Sequence, residues 1–138
     1  MRVLLCHNNF GVQGGAEVFV HEVARVLTDN GHDVAFLAAA EEGADTEWAS
    51  YFPQAVDYAG NKLAAIAGFG KMVYSREARN AASRLIRDFK PDIVHCFAIY
   101  TRLTPSILDA FREANIPVVC SFNDYKHICP SYKLYHHN

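Results

Sequence analysis

Short apolar runs alternate along this chain with segments of helical period, and that alternation limits the folds it can adopt. Continuous apolar runs of this length are typical of strands covered on both faces of a sheet. We predict strands at Val3 to Cys6, Val34 to Ala39, Asp92 to Phe97 and Ile116 to Phe122. Strands separated by helices predict βαβ units, and therefore an α/β fold with a parallel sheet and right-handed crossovers.

Three segments between these strands have apolar residues at spacings of three and four, which predicts amphipathic helices. Gly31 closes the first helix, Pro91 ends the second, and the third runs from about Thr104 to Ala114. Thr104 is the predicted N-cap of the third helix, with Pro105 at its first position. The apolar positions are Ala16, Phe19, Val20, Val23, Ala24 and Leu27 in the first helix and Ala78, Ala81, Ala82, Leu85 and Phe89 in the second.

The segment from Glu41 to Asp57 differs from the rest, because its five acidic residues have no basic neighbour within it. We predict an irregular connection here, with a short strand near Val56 to Tyr58. The whole chain has 138 residues, 51% of them hydrophobic, and a net charge of -2. These values predict one globular domain, and the near-neutral charge argues against a nucleic-acid partner, for which a basic domain is expected.

The cysteines and the N-terminus bear on the compartment. Cys6, Cys96 and Cys120 lie in apolar runs and are predicted to be buried thiols, whereas Cys129 lies in a polar segment. The apolar run at the N-terminus is too short for a signal peptide, and no stretch approaches the roughly 18 apolar residues of a membrane span. We therefore expect a cytoplasmic protein.

In a parallel sheet of this kind, ligands bind beyond the carboxyl ends of the strands. The segments predicted to form that edge are 8–15, 40–42, 97–102 and 122–129.

The first candidate at this edge is the segment Gly11-Val12-Gln13-Gly14-Gly15 between the first strand and the first helix. Its glycines suit either an anion site at the helix start or simply a tight turn. The spacing differs from the dinucleotide fingerprint G-x-G-x-x-G. Glu41 or Glu42 after the second strand still suits a ribose contact, so a nicotinamide site stays open.

The second candidate is the tail that follows the last strand. Asp124 suits a base or an orienting group, Lys126 a phosphate contact, and His127 titrates near neutrality. The alternative is an ordinary capping loop. No zinc spacing connects its histidines and Cys129, so we expect no metal. His95, near the end of the third strand, suits either a structural role or a ligand contact.

The third candidate is the basic face of the second helix. The segment from Lys71 to Lys90 holds six of the 13 basic residues. Such a face is either simply solvated or attracted to an anionic membrane surface, with the apolar stretch from Leu63 to Met72 entering the interface.

Five segments together resemble the N-terminal domain of the family-4 (group 1) retaining glycosyltransferases. The resemblance covers nearly the whole chain and depends on the order and spacing of the segments. They are Gly14-Gly15-Ala16-Glu17, Gly31-His32-Asp33-Val34, Lys90-Pro91-Asp92-Ile93-Val94-His95, Pro105-Ser106-Ile107-Leu108, and Asp124-Tyr125-Lys126 with Cys129-Pro130.

This resemblance implies a GT-B enzyme, in which two Rossmann-like domains enclose a cleft. The N-terminal domain receives a glycan or lipid-linked acceptor of cell-surface polysaccharide synthesis, and the C-terminal domain binds the nucleotide-sugar donor. Transfer retains the anomeric configuration and needs no metal or other cofactor. Residues 1–138 would then be a truncated, Rossmann-like N-terminal half without the donor domain, inactive alone. Attraction of the basic helix face to a membrane would place the chain at the inner membrane face.

The resemblance also implies roles for single residues. Gly14 and Gly15 would approach the donor phosphates or an acceptor anion, and Asn123 and Asp124 would be the catalytic or sugar-contacting residues. Relatives commonly carry His where this chain has Asn123, and Asn cannot exchange a proton near neutral pH. The remaining binding candidates are Glu17, His95, Tyr100 and Lys126.

Relatives also often read H-x-H-N where this chain has His95-Cys96-Phe97-Ala98. Two alternatives stay open at this point: a non-catalytic Rossmann-like binding module, and a nucleotide-dependent oxidoreductase domain.

Overall fold

The computed structural model of the chain describes residues 1–54, 74–100, 102–122, 125 and 129. The predicted strand near Val56 to Tyr58 and the apolar stretch from Leu63 to Met72 lie outside these residues. The elements in chain order are β1 (Arg2–Cys6), α1 (Gly15–Asp29), β2 (Asp33–Leu37), a 3-10 turn (Ala49–Tyr51), α2 (Arg76–Phe89), β3 (Ile93–Phe97), α3 (Ile107–Glu113) and β4 (Val118–Ser121).

Within the described residues the strands form a four-stranded parallel sheet in the order β2-β1-β3-β4. In the central register, Leu4 of β1 lies opposite Ala35 on one side and Val94 on the other. The chain runs from β1 to β2 on one side of β1, and then from β2 to β3 on the other side of β1. The gap between the ends of β1 and β3 is therefore the switch point of the topology, where open α/β sheets form a ligand crevice.

Helices cover both faces of this sheet, which confirms the predicted Rossmann-like α/β fold. One face, with Leu4, Leu37 and Val94, packs against α2 and α3. The other face packs against α1, and its cluster is Val3, Leu5, Val20, Ala24 and Phe97.

The end of α1 follows the prediction. Gly31 has a φ of 78°, and its N–H donates to the carbonyl of Thr28 at 2.9 Å. The N–H of His32 donates to the carbonyl of Leu27 at 3.1 Å. The two bonds form a Schellman motif, which satisfies the last carbonyls of the helix and turns the chain into β2.

Two details of the predicted helices are wrong. On α1, Ala16 is exposed and Phe19 is 47% exposed, because the Phe19 ring meets the sheet only by an edge contact with Phe97. The third helix begins at Ile107 rather than at Thr104. The Thr104 hydroxyl bonds to Ser106 and to the Ser75 backbone instead of capping the helix.

The cysteine prediction holds in part. Cys6 and Cys96 are buried, but Cys120, on the outermost strand β4 of the described sheet, is exposed. Cys129, in its polar segment, is buried. In the described part of the chain, no helix has the length and apolar character needed to cross a membrane.

Candidate functional site

Three of the four segments predicted to form the carboxyl edge are joined by hydrogen bonds. The segment after β1 reaches the segment after β3 through Asn9, which contacts Arg102, and the side-chain oxygen of Asn8 accepts the N–H of the next residue, Leu103, at 2.9 Å. It also reaches the segment after β2, where the Glu41 carboxylate accepts the N–H of Gly11. These contacts surround the switch point between β1 and β3.

The glycine segment is held in place by Phe10. Its ring meets the rings of His21 and Phe36 edge-on, with centroids 5.1 and 5.3 Å apart. The Nε2 atom of His21 lies 2.7 Å from the Phe10 carbonyl oxygen and donates to it. At Gly11, a Cβ would lie 2.8 Å from a carboxylate oxygen of Glu41, so a larger residue here would require the Glu41 side chain to move. Glu41 thus contacts the glycine segment of its own chain, and the ribose contact stays a prediction.

The start of α1 is partly satisfied by the chain itself. Gly14 is the N-cap, and the described residues provide no side-chain cap for it. Glu17, three positions later, is 7% exposed. Burial raises the pKa of Glu17, but hydrogen bonds from Asn9 and from the N–H groups of Glu17 and Gly14, and the nearby His7, outweigh it and lower this pKa overall. Glu17 is thus an ionised carboxylate in the first turn of α1, hydrogen-bonded to Asn9. Gly15 stays open, with no atom within 4 Å of its missing Cβ.

Asn9 connects Glu17 to a cation. Its Nδ2 donates to Glu17 Oε1 at 3.1 Å, and its Oδ1 accepts from Arg102 Nη1 at 2.6 Å. The carboxylate needs a donor and the guanidinium needs an acceptor, so the two partners decide the orientation of the amide. Sequence reasoning did not single out Asn8, Asn9 or Arg102, although all three lie in or beside the predicted edge segments.

His7 is a buried residue that contacts the backbone of Asn9. It is 4% exposed, and its Nδ1 lies 3.2 Å from the backbone nitrogen and 2.9 Å from the backbone oxygen of Asn9. Among the described residues, nothing pairs with its Nε2.

His95 lies apart from this network. Its Nε2 is 2.8 Å from the hydroxyl of Ser121 in β4, and its ring lies on that of Phe97 with centroids 3.9 Å apart. Burial lowers the pKa of His95, which keeps the imidazole neutral at neutral pH. Tyr100 is half-buried in the segment after β3. The remaining predicted site residues, Asn123, Asp124 and Lys126, lie outside the described residues.

No cluster of three or more His, Cys, Asp or Glu side chains that could hold a metal ion occurs in the described ranges. The groups that the described residues bring to the switch point are a buried carboxylate, an amide, a guanidinium and the start of α1.

Comparison with known proteins identifies the family. Residues 13–138 match the family model described as Glycosyltransferase Family 4. The chain belongs to glycosyltransferase family 4. A search of curated proteins returns no match.

The matched stretch of this family-4 domain begins inside the glycine segment, at Gln13, and takes in α1 and all that follows. The domain therefore falls within the transferases that act on sugars. Asn8 and Asn9 precede the matched stretch, whereas their partners Glu17, Arg102 and Leu103 lie inside it.

Proposed function

We propose that this domain forms the acceptor side of a retaining glycosyltransferase that moves a sugar from a nucleotide-sugar to a glycan or lipid-linked acceptor. The observation that carries the proposal is that the chain belongs to glycosyltransferase family 4. The segments after β1 and β3 meet at the switch point of its sheet. A crevice at this place, lined by hydrogen-bonding groups, suits a hydroxylated substrate.

Sugar transfer from a nucleotide-sugar requires stabilisation of the leaving diphosphate. Negative charge grows on that group as the glycosidic bond breaks, and N–H groups at a helix start stabilise it. Gly15, the first residue of α1, supplies an open position there, because no atom lies within 4 Å of its missing Cβ. In a retaining transfer, the leaving phosphate itself takes the acceptor proton, so Asn123 and Asp124 act as sugar or acceptor contacts and no metal takes part.

The test joins residues 1–138 to a donor-binding domain of another family-4 enzyme. The joined protein is incubated with a panel of radiolabelled nucleotide-sugars and a lipid and glycan extract. We expect transfer by the joined protein and none by residues 1–138 alone. Failure to transfer from any nucleotide-sugar, by a joined protein that binds the donor, would contradict the proposal. Saturable glycan binding in the absence of transfer would instead indicate a binding module.

Variants of the joined protein test the site. Asn123→Ala and Asp124→Asn are expected to lower transfer, because the first removes a hydrogen-bonding amide and the second removes a negatively charged acceptor. Asp33→Asn is the matched control, since Asp33 is exposed at the first position of β2, the end opposite the carboxyl edge. Unchanged transfer in both site variants would exclude these residues from the site.

The basic face of α2 supports a second partner, an anionic membrane surface. Arg76, Arg84 and Arg87 are exposed and lie on one side of the helix. Arg79 is instead paired with Glu113, at 2.6 Å. We propose that the three exposed arginines attract acidic lipids at the cytoplasmic side of the inner membrane.

Sedimentation with vesicles measures this attraction. At about 1 kcal/mol per basic residue near the surface, replacing all three arginines by Gln weakens binding to acidic vesicles at least tenfold. Arg25→Gln on α1 is the control, because Arg25 is already paired with Glu22 and Asp29. Equal sedimentation of the triple variant and the wild-type chain would show that the basic face of α2 is simply solvated.

A further inference from the structure

Arg102 is held at the switch point by two consecutive asparagines. Asn9 Oδ1 accepts from its guanidinium at 2.6 Å, and Asn8 Oδ1 accepts from the N–H of the next residue, Leu103, at 2.9 Å. Leu103 is fully buried, so the backbone beside Arg102 is anchored in the core. Both the backbone and the side chain of a half-buried cation are therefore fixed in position.

The charge of Arg102 is oriented without being neutralised by a direct partner. Within the described part of the chain, no carboxylate forms an ion pair with its guanidinium. Arg25 and Arg79, in contrast, each contact a carboxylate directly. The nearest acidic group in the network is Glu17, and the neutral amide of Asn9 stands between the two.

An anion at the start of α1 would meet the ionised carboxylate of Glu17, which lies in the first turn of the helix. A nearby cation would offset that repulsion. A guanidinium has five N–H donors in a planar fork that matches two phosphate oxygens, and the Asn9 bond uses one of them.

We propose that Arg102 binds a phosphate group of the substrate and that Asn9 is a positioning residue that aims its guanidinium. The inference rests on the proposed function, because sugar transfer from a nucleotide-sugar brings phosphate groups into this cleft. The phosphate belongs either to the donor diphosphate or to a phosphorylated acceptor. The two sources present the same chemistry to Arg102.

Binding is measured on the 138-residue chain by calorimetric titration at fixed ionic strength. The probes are inorganic pyrophosphate, a nucleoside diphosphate and an alkyl monophosphate. We expect saturable binding that Arg102→Gln weakens about tenfold or more, since a charge-assisted hydrogen bond is lost. Tighter binding of the diphosphates indicates the donor, and tighter binding of the alkyl monophosphate indicates the acceptor.

Two further variants separate the role of the guanidinium fork at Arg102 from the general effect of removing an arginine. Arg102→Lys retains the charge but loses the fork, and is expected to bind with intermediate affinity. Arg25→Gln is the matched control, since it removes an exposed arginine in the second half of α1, away from the helix start, and is expected to bind as the wild type does. Thermal unfolding shows that each variant is folded before its affinity is compared.

The role of Asn9 is tested by a double-variant cycle. Asn9→Ala should weaken phosphate binding in the wild-type chain and have no further effect in the Arg102→Gln chain, because Asn9 acts through Arg102. Equal losses in both backgrounds would overturn the positioning role, as a merely structural effect gives the same loss in each.

The proposal is overturned if folded wild-type chain binds none of the three probes, or if Arg102→Gln binds them as tightly as wild type. These outcomes are separate from sugar transfer. Transfer by the joined protein without any effect of Arg102→Gln on phosphate affinity contradicts this inference alone. Phosphate binding through Arg102 in a joined protein that never transfers sugar contradicts the proposed function alone.

Discussion

Ala98, the first residue after β3, has a backbone conformation that favours glycine. Its φ is 41°, in the left-handed region, where the Cβ of an L-residue crowds the following carbonyl. The residue lies at the carboxyl edge, between Phe97 and the segment that contains Arg102. Asn tolerates this conformation better than Ala does.

Ala98→Gly is therefore expected to stabilise the fold, by about 0.5–1 kcal/mol, because relief of the left-handed strain exceeds the added entropy of the unfolded chain. Chemical denaturation measures the free energy of unfolding. The control is Ala114→Gly, at an exposed residue with a φ of -83°, where the same change should destabilise. A loss of stability at position 98 equal to that at position 114 would show that Ala98 is unstrained.

Glu17 predicts a pH dependence of stability. Its folded pKa is lowered, so the unfolded chain binds more protons, and the stabilisation is present above the ordinary pKa of 4.5 and lost as the pH falls through the folded pKa. Glu17→Gln should cost about 1–2 kcal/mol near pH 7, because the charged acceptor of the Asn9 bond is lost.

The two chains should approach each other in stability as the pH falls to about 3.5. Urea denaturation at both pH values provides the measurement, with Glu42→Gln as an exposed control. A difference between Glu17→Gln and wild type that stays constant with pH would mean that the carboxylate is not stabilised in the fold.

At the scale of elements, the starts of α2 and α3 share a buried hydroxyl network. The Ser75 hydroxyl caps α2 by accepting the N–H of Ala78 at 3.1 Å. The Ser75 N–H donates to Thr104 Oγ1 at 3.2 Å, and Ser106 Oγ donates to the Ser75 carbonyl at 2.8 Å. Thr104 is fully buried. The network fastens two helices that are 17 residues apart in the chain.

Thr104→Val keeps the shape of the side chain and removes the acceptor, leaving the buried N–H of Ser75 without its partner. The expected loss is about 1–3 kcal/mol of unfolding free energy. Thr28→Val on α1 is the matched control, because the Thr28 hydroxyl bonds only to the Ala24 carbonyl of its own helix and the residue is exposed. Equal losses of unfolding free energy in the two variants would show that the hydroxyl network does not link α2 to α3.

For the molecule as a whole, sheet order predicts the pattern of local opening. The strands β1 and β3 are central and pair on both sides, whereas β4 pairs, among the described residues, only with β3. Val119 on β4 is 47% exposed, while Leu4 and Leu5 on β1 are fully buried. Amide hydrogens of β4 should therefore exchange about tenfold faster or more than those of β1, as measured by NMR. Equal protection of the two strands would show that the outer edge of β4 is covered.

Local patterns predicted much of this fold. The apolar runs located the strands, and Gly31 and Pro91 marked the ends of two helices, because turn residues and periodicity act within a few positions. Local patterns could not predict the exposure of Phe19 and Cys120. Their burial depends on whether another element lies against them, which no local pattern encodes.

The candidate site divides in the same way. Gly14, Gly15 and Glu17 could be placed at the carboxyl edge, since they follow directly from the first strand and begin a helix. Asn9 and Arg102 could not be paired, because 93 positions separate them.

Only the parallel register, which sets the ends of β1 and β3 side by side, brings these two residues together. The alternation of runs and helices was sufficient for the fold class and for the carboxyl edge, where open α/β sheets form a ligand crevice. The pairing of Asn9 with Arg102 was decided by tertiary structure, because hydrogen bonds across the switch point depend on distances in space and not on spacing along the chain.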